Sequence, residues 1–144
     1  MSKKQENIEK ELKVKSSTEN LSLIRNFTKA TAELCGFDSE AVGKIVLAVD
    51  EACTNIIKHA YQYSPNGDII LKFKLANSKF AISITDKGQH FNPNIIPEPD
   101  LKEFHKQRKV GGLGMYLMKK LMDEVVYHSL TGSKNEVILI KYLT

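Results

Sequence analysis

The sequence contains no tryptophan, and only two cysteines and four prolines among its 144 residues. Two thiols, Cys35 and Cys53, are too few for a disulfide scaffold. Both fall on apolar helix faces and read as core residues, since free cysteine is among the most buried residue types. Long hydrophobic runs are missing as well. Ile45 to Val49, the longest near the middle, falls far short of the ~20 residues a membrane-spanning helix requires. The opening residues alternate Lys with Glu and hold no apolar stretch of the kind a secretory signal needs, so a cytoplasmic protein with no membrane association is expected. Nor is there a strong charge of one sign: 21 basic against 17 acidic residues leave +4. The lysines are scattered among glutamates, and even the densest basic stretch, Lys102 to Lys109, holds Glu103. Direct binding to nucleic acid is therefore not expected.

What remains is an ordinary globular composition, 42% hydrophobic and 26% charged. A chain of this length buries roughly 68–70% of its unfolded surface, enough for one domain with its own core. Residues 1–9 read as a flexible tail and 10–144 as a single domain. Glu11 to Ser17 alternates weakly and suggests an edge strand. Leu23, Ile24, Phe27, Ala30, Thr31 and Leu34 recur at helical spacing, and Gly36 ends that helix. A second helix is expected from Ser39, with Asp38 or Ser39 as cap, to about Tyr63, ended by Pro65-Asn66-Gly67. Strands Asp68 to Leu75 and Lys79 to Thr85 follow around the turn Ala76-Asn77-Ser78. Residues 86–111 hold Gly88, Pro93, Pro97 and Pro99 without periodicity, which makes a long loop. A third helix is expected from Gly112 or Leu113 to about Glu124, with Leu113, Tyr116, Leu117 and Leu121 as its apolar set. Val125 to Leu130 and Asn135 to Leu143 form a closing hairpin around Thr131-Gly132-Ser133. This order predicts a two-layer α/β sandwich, its sheet mixed but mostly antiparallel, with helices on one face.

On the second helix, Ile45, Val46, Val49, Ala52, Cys53, Ile56, Ile57 and Ala60 fall within roughly ±80° of one direction and form the core face. Glu51, Asn55, Lys58 and His59 fall opposite. Glu51, Asn55 and His59 are four apart and stack along one line. A solvated polar face is the plain reading of such residues. Asn, however, is a poor helix former. Placed between a carboxylate and an imidazole, it suits a hydrated cation, because Mg²⁺ takes few protein ligands and keeps oxygens from water and phosphate. Glu51, one turn earlier, could orient or deprotonate an attacking group.

The alternating strand Phe80 to Thr85 delivers Asp86 at its end, followed by Lys87-Gly88. That is either a polar turn or a fixed acceptor for a ligand's amino group, with Gly88 permitting close approach of a ring. Gly111-Gly112-Leu113-Gly114 opens the third helix, although each glycine costs up to ~1 kcal/mol relative to Ala within a helix. Backbone N–H groups at such a start can cradle phosphate. No Gly-Lys-Ser/Thr follows, so this is not a Walker loop. No parallel βαβ unit surrounds it, so it is not a dinucleotide fingerprint.

Together these elements resemble the GHKL ATPases, the group of DNA gyrase, heat-shock chaperones, histidine kinases and mismatch-repair ATPases. Within that group the chain is most similar to the short anti-sigma-factor serine kinases. Asp50-Glu51-Ala52-Cys53-Thr54-Asn55-Ile56-Ile57-Lys58-His59-Ala60-Tyr61 corresponds to the N box, Asp86-Lys87-Gly88 to the G1 box and Gly111-Gly112-Leu113-Gly114-Met115 to the G2 box. The resemblance runs from about residue 15 to the C-terminus. It departs from the family pattern at His90, where a second G1 glycine is usual, and at Asn135-Glu136, where a Gly-Thr pair often precedes the last strand and would add a hydroxyl contact.

The resemblance implies a Bergerat-type ATP-binding fold and the cofactors ATP and Mg²⁺. It implies Glu51 as general base, Asn55 as Mg²⁺ ligand, His59 lining the phosphate region and Asp86 reading the adenine amino group beside Gly88. Gly111, Gly112, Leu113, Gly114 and Met115 would hold phosphate, and residues 90–110 would form an ATP lid carrying Lys106, Arg108 and Lys109. The implied function is an anti-sigma factor and serine/threonine kinase, which sequesters a sigma factor and phosphorylates an anti-anti-sigma partner. A homodimer is implied too. The alternative is a nucleotide-binding regulatory module that sequesters its partner without kinase activity.

Overall fold

Alternation builds the sheet. In β2 (Asp68–Ala76), Ile69, Leu71, Phe73 and Leu75 are buried while Lys72 and Lys74 are exposed, the period of two that a half-buried strand demands. β3 (Lys79–Asp86) repeats the pattern with Phe80, Ile82, Ile84 and finally Asp86 on the inner face. Asn77 and Ser78, with φ of 53° and 64°, join the strands through a left-handed two-residue turn whose twist matches that of a hairpin. The computed structural model describes residues 7–88, 110–130 and 134–144, and for residues 110–115, 129 and 130 the backbone only.

β1 (Ile8–Lys15) begins within the segment expected to be a tail. It pairs along its whole length with β2, from Ile8 opposite Leu75 to Lys15 opposite Asp68. β4 (Glu124–Leu130) and β5 (Lys134–Tyr142) complete a five-stranded sheet in the order β1-β2-β3-β5-β4. Its pairings are all antiparallel, so the mixed sheet expected from the sequence is corrected among the described residues. The helical segment between β1 and β2 joins antiparallel neighbours, whereas β4, reached after β3, stands beyond β5 and runs parallel to β3 without pairing with it.

Three helices cover one face. α1 (Leu21–Cys35) ends at Gly36, whose φ of 101° only glycine adopts readily, and α2 (Ser39–Asn55) starts on Asp38, whose carboxylate accepts from Ala41 N at 2.8 Å. α3 (Val110–Leu121) starts and ends two to three residues earlier than expected. α2 lies between α1 and α3. Cys53 and Cys35 are both buried, as expected, and burial raises the Cys35 thiol to about 11.

Two helix faces differ from the sequence expectation. α1 buries Ile24, Thr28, Thr31, Ala32 and Cys35, leaving Leu23, Ala30 and Leu34 exposed. The cause is the two threonines. Their hydroxyls donate to Ile24 O and Phe27 O at 2.7 and 2.8 Å, so each polar atom is satisfied within the helix and the methyl can enter the core. α3 turns Met118 inward, with Met122 just beyond it, and leaves Leu117 exposed. Unbranched, flexible methionine suits irregular positions in a core.

The core centres on a chain of aromatic rings. Phe27 lies 5.4 Å from Phe73, Phe73 lies 6.4 Å from Phe80 and Phe80 lies 5.5 Å from Phe37, linking α1, the sheet and the α1–α2 connection. Phe80 is fully buried, so Phe80→Ala should cost about 3–5 kcal/mol. Chemical denaturation would show this as a lower midpoint with an unchanged slope; a midpoint shift equivalent to less than about 1 kcal/mol would mean the ring is not part of the core.

Candidate functional site

α2 carries the line of polar residues picked out above. Val42, Ile45, Ala48, Val49, Ala52 and Cys53 are buried, with Val46 only half-buried. Asp50 is drawn towards α1, where its Oδ1 accepts from Arg25 Nη1 at 3.0 Å. Glu51, about 100° further round the helix, and Asn55, one turn on, are both half-buried. Neither makes a hydrogen bond or ion pair among the described residues.

The helix does not continue regularly to Tyr63. From Ile56 to Ala60 it widens into a π-turn, and Tyr61 N donates to Ile56 O, five residues back, at 2.9 Å. Ile56 and Ile57 remain buried on the core side, Ala60 is half-buried, and His59 is exposed. Gln62 and Tyr63 then take left-handed φ values of 49° and 66°, and Tyr63 N closes onto Ile57 O at 2.8 Å. Non-glycine residues in this region are strained by on the order of 1–3 kcal/mol each and persist where surrounding contacts over-determine them.

Those contacts centre on Tyr61. Its hydroxyl donates to Asp68 O at 2.7 Å and accepts from Lys87 N at 2.8 Å, joining the end of the N-box helix to the start of β2 and the end of β3. Burial raises the phenol above its ordinary value, against the opposing pull of the Lys87 N–H. The ring lies so close over Gly67 that a Cβ there would fall 2.3 Å from it. Gly67 is itself tied to the buried Ser16, through Gly67 N to Ser16 Oγ at 2.9 Å and Ser16 N to Gly67 O at 2.8 Å.

Asp86 is the fourth inward position of β3 and only 5% exposed. A carboxylate so placed must be hydrogen-bonded. Its Oδ1 accepts from Gly88 N at 2.9 Å, an Asx-type turn, and from Asn135 Nδ2 at 3.0 Å. Asn135 thus makes a contact of its own at the position where the expected hydroxyl is missing. The neighbouring Glu136 is occupied on the outer face, accepting from Ser83 Oγ at 2.5 Å. Burial, then the Asp50 and Asp86 carboxylates, push the Cys53 thiol up, so it stays protonated and inert beneath the site.

Gly88 joins the two halves. A Cβ there would lie 2.5 Å from Ala60 O and 2.6 Å from Ala60 C, so the turn after Asp86 rests directly on the end of the π-turn. The two nearest obstructing atoms are backbone, and the third, Ala60 Cβ at 2.7 Å, is fixed to that backbone. Gly88→Ala is expected to destabilise the fold by about 1–3 kcal/mol. A thermal melt within about 2 °C of wild type would contradict this close approach.

The structure therefore brings Asp86 and Gly88 against the end of the N-box helix, with Glu51 and Asn55 further back along it. Gly111, Gly112, Leu113, Gly114 and Met115 lie in the opening turns of α3, which packs beside α2. Because the helix already starts at Val110, only Gly111 and Gly112 lie among the opening amides that a helix leaves without intrahelical partners, while Gly114 and Met115 lie a turn further in. The expected lid and His90 lie outside the described residues, apart from Val110, which begins α3. The turn Thr131-Gly132-Ser133 lies outside them too. Sequence reasoning missed Tyr61 as a brace. Its place at the end of the N box, six residues before a glycine, was the available signal.

No group of three His, Cys, Asp or Glu residues that could hold a metal is assembled among the described residues. Asn55, half-buried and uncommitted there, fits a cation held mainly by phosphate and water oxygens and does not fit a closed protein cage.

This combination of a five-stranded antiparallel sheet, helices on one face and a glycine-tight turn defines a two-layer α/β sandwich class. Residues 14–141 match the histidine kinase-like ATPase domain, and the chain belongs to that family. It is 32% identical over 138 residues to the serine-protein kinase RsbW of Bacillus subtilis (strain 168), spanning 92% of this chain and 84% of that relative. To the serine-protein kinase RsbW of Listeria monocytogenes serovar 1/2a it is 30% identical over 136 residues, spanning 92% and 85%. Its fold is similar to a crystal structure of the RsbU and RsbW domains of Rv1364c from Mycobacterium tuberculosis, with a TM-score of 0.69 at 17% identity, covering 94% of this chain and 32% of that one. The two-layer architecture expected from the sequence is the one found. No helix among the described residues is long and apolar enough to cross a membrane.

Proposed function

We propose that the chain is a cytoplasmic anti-sigma factor and protein serine/threonine kinase that binds Mg-ATP, sequesters a sigma factor and phosphorylates an anti-anti-sigma partner. The observation that carries the reading is the direct contact between the Asp86-Gly88 turn and the end of the helix bearing Glu51 and Asn55. Its similarity to RsbW serine-protein kinases over 92% of its length supports the same reading.

Within the single domain, which takes in β1 from Ile8, Asp86 accepts a hydrogen bond from the exocyclic amine of adenine. Gly88 lets the base approach the backbone. Asn55 holds Mg²⁺ through its carbonyl oxygen, His59 lines the phosphate region, and the amides of Gly111, Gly112, Leu113, Gly114 and Met115 bind phosphate. When bound, Mg-ATP supplies an electrophilic γ-phosphoryl group with part of its charge neutralised. Glu51 orients the attacking serine or threonine hydroxyl and takes its proton. Residues 90–110 act as a lid over the nucleotide, and two copies of the chain form a homodimer.

The test is a calorimetric titration with Mg-ATP, followed by incubation of the chain with γ-phosphate-labelled ATP and a cell extract. Saturable binding and one labelled phosphoprotein are expected. Binding without any labelled product would leave the alternative, a nucleotide-binding module that only sequesters its partner. No binding at all would overturn the nucleotide reading.

A further inference from the structure

Among the described residues, Asp86 receives donors from two different parts of the fold. Gly88 N belongs to the same turn and stays with the carboxylate wherever that turn goes. Asn135 Nδ2 comes from β5, 49 residues away in sequence. The torsion that turns a carboxylate about its own axis is soft and roughly two-fold. The local donor travels with the turn, whereas the donor from β5 ties the same Oδ1, and with it the carboxylate torsion, to the sheet. We infer that Asn135 sets the base specificity of the nucleotide site as a positioning residue, by holding the Asp86 carboxylate in the plane that meets a 6-amino purine. This rests on the proposed reading of Asp86 as the adenine acceptor.

The sheet gives the contact its reach. Asn135 stands directly opposite Asp86, and the buried pairs Ile84–Val137 and Ile82–Leu139 follow along the same ladder. A slip of one residue would turn Asn135 to the outer face and expose Val137 and Leu139, so the core itself enforces the register.

The residue type also fits. A primary amide donates a hydrogen bond yet carries no charge, so it orients the carboxylate without neutralising it. Lys or Arg at this position would pair with Asp86 and compete with the ligand's amine. An anionic acceptor held in one plane favours a purine bearing a 6-amino donor and repels one bearing a 6-oxo acceptor. A site built around a buried polar partner discriminates strongly, because the wrong ligand leaves that partner unsatisfied.

The experiment compares ATP with inosine triphosphate, which differs in carrying the 6-oxo group on an otherwise similar purine. Affinities of both are measured by calorimetry for the wild type and for Asn135→Leu, Asn135→Ala and Asn135→Asp, with thermal melts confirming that each variant is folded. The leucine and alanine variants should bind ATP about tenfold more weakly while inosine triphosphate is nearly unaffected, so that the ATP preference falls about tenfold. Asn135→Asp, of the same shape but with a second acceptor in place of the donor, should lose at least as much. A merely structural role would weaken both nucleotides equally, since the triphosphate and ribose contacts are shared. An equal loss in folded variants, or an unchanged preference, overturns the inference while leaving the nucleotide reading intact. A wild type that binds neither nucleotide overturns both.

Discussion

Glu51→Gln is expected to bind Mg-ATP within about twofold of the wild type while phosphoryl transfer falls by on the order of 10²–10⁴-fold, the range a positioned general base supplies. Glutamine has nearly the same shape, and Glu51 makes no hydrogen bond or ion pair among the described residues, so the change strands no partner. Its neighbour Asp50 is paired with Arg25 and points towards α1, and cannot readily take over. Calorimetry beside a single-turnover transfer assay separates the two effects. Transfer at the wild-type rate would remove Glu51 from the chemistry; loss of binding would make it a nucleotide contact.

Asp86→Asn should act the other way round, weakening nucleotide binding by on the order of 10²-fold with the fold retained. A hydrogen bond to a charged group contributes roughly 1.5–3 kcal/mol, and each 1.4 kcal/mol is about tenfold in affinity. The substitution does more than remove charge. Oδ1 of Asp86 already accepts from Gly88 N and Asn135 Nδ2. An amide has one oxygen for those two donors, and its NH₂ group then replaces the other carboxylate oxygen. A donor would face the donor of the base. Both described donors keep an acceptor, and a thermal melt checks that the variant is folded. Unaltered Mg-ATP affinity in a folded variant would exclude Asp86 from base recognition.

The sheet was legible because its strands alternate cleanly. Ile69-Ile70-Leu71-Lys72-Phe73-Lys74-Leu75 leaves little choice of face, and the expected ends of β2 and β3 lie within a residue of those found, whereas the weakly alternating β1 starts three residues before Glu11 and ends two before Ser17. The helix faces were less so. α1 was misread because Thr28 and Thr31 satisfy their hydroxyls within the helix and then behave as core residues, a choice that hydropathy alone does not reveal. In α3, the apolar set Leu113, Tyr116, Leu117 and Leu121 overlooked Met118 and Met122, which do the packing. Of the candidate site, Glu51, Asn55 and Asp86 were visible from residue type and spacing. The π-turn was not. It depends on Tyr61 reaching Asp68 and Lys87 and on Gly88 pressing on Ala60, tertiary contacts that no local pattern encodes. Asn135 was visible as a departure from a family pattern. Its meaning required the register of β3 against β5.

That register has a consequence for the order in which the molecule comes into being. A chain leaves the ribosome from its N-terminus, so α2 and β3 exist well before β5 does. Until β5 docks, Asp86 lacks its cross-strand donor and Ile82 and Ile84 lack their neighbours along one edge. Pairing at a separation of 49 residues is slow relative to helix or hairpin formation. A nascent chain with everything up to α3 already made would therefore hold Asp86 without its donor from β5. On the proposed reading of Asp86, competence to bind nucleotide would come only once β5 has docked.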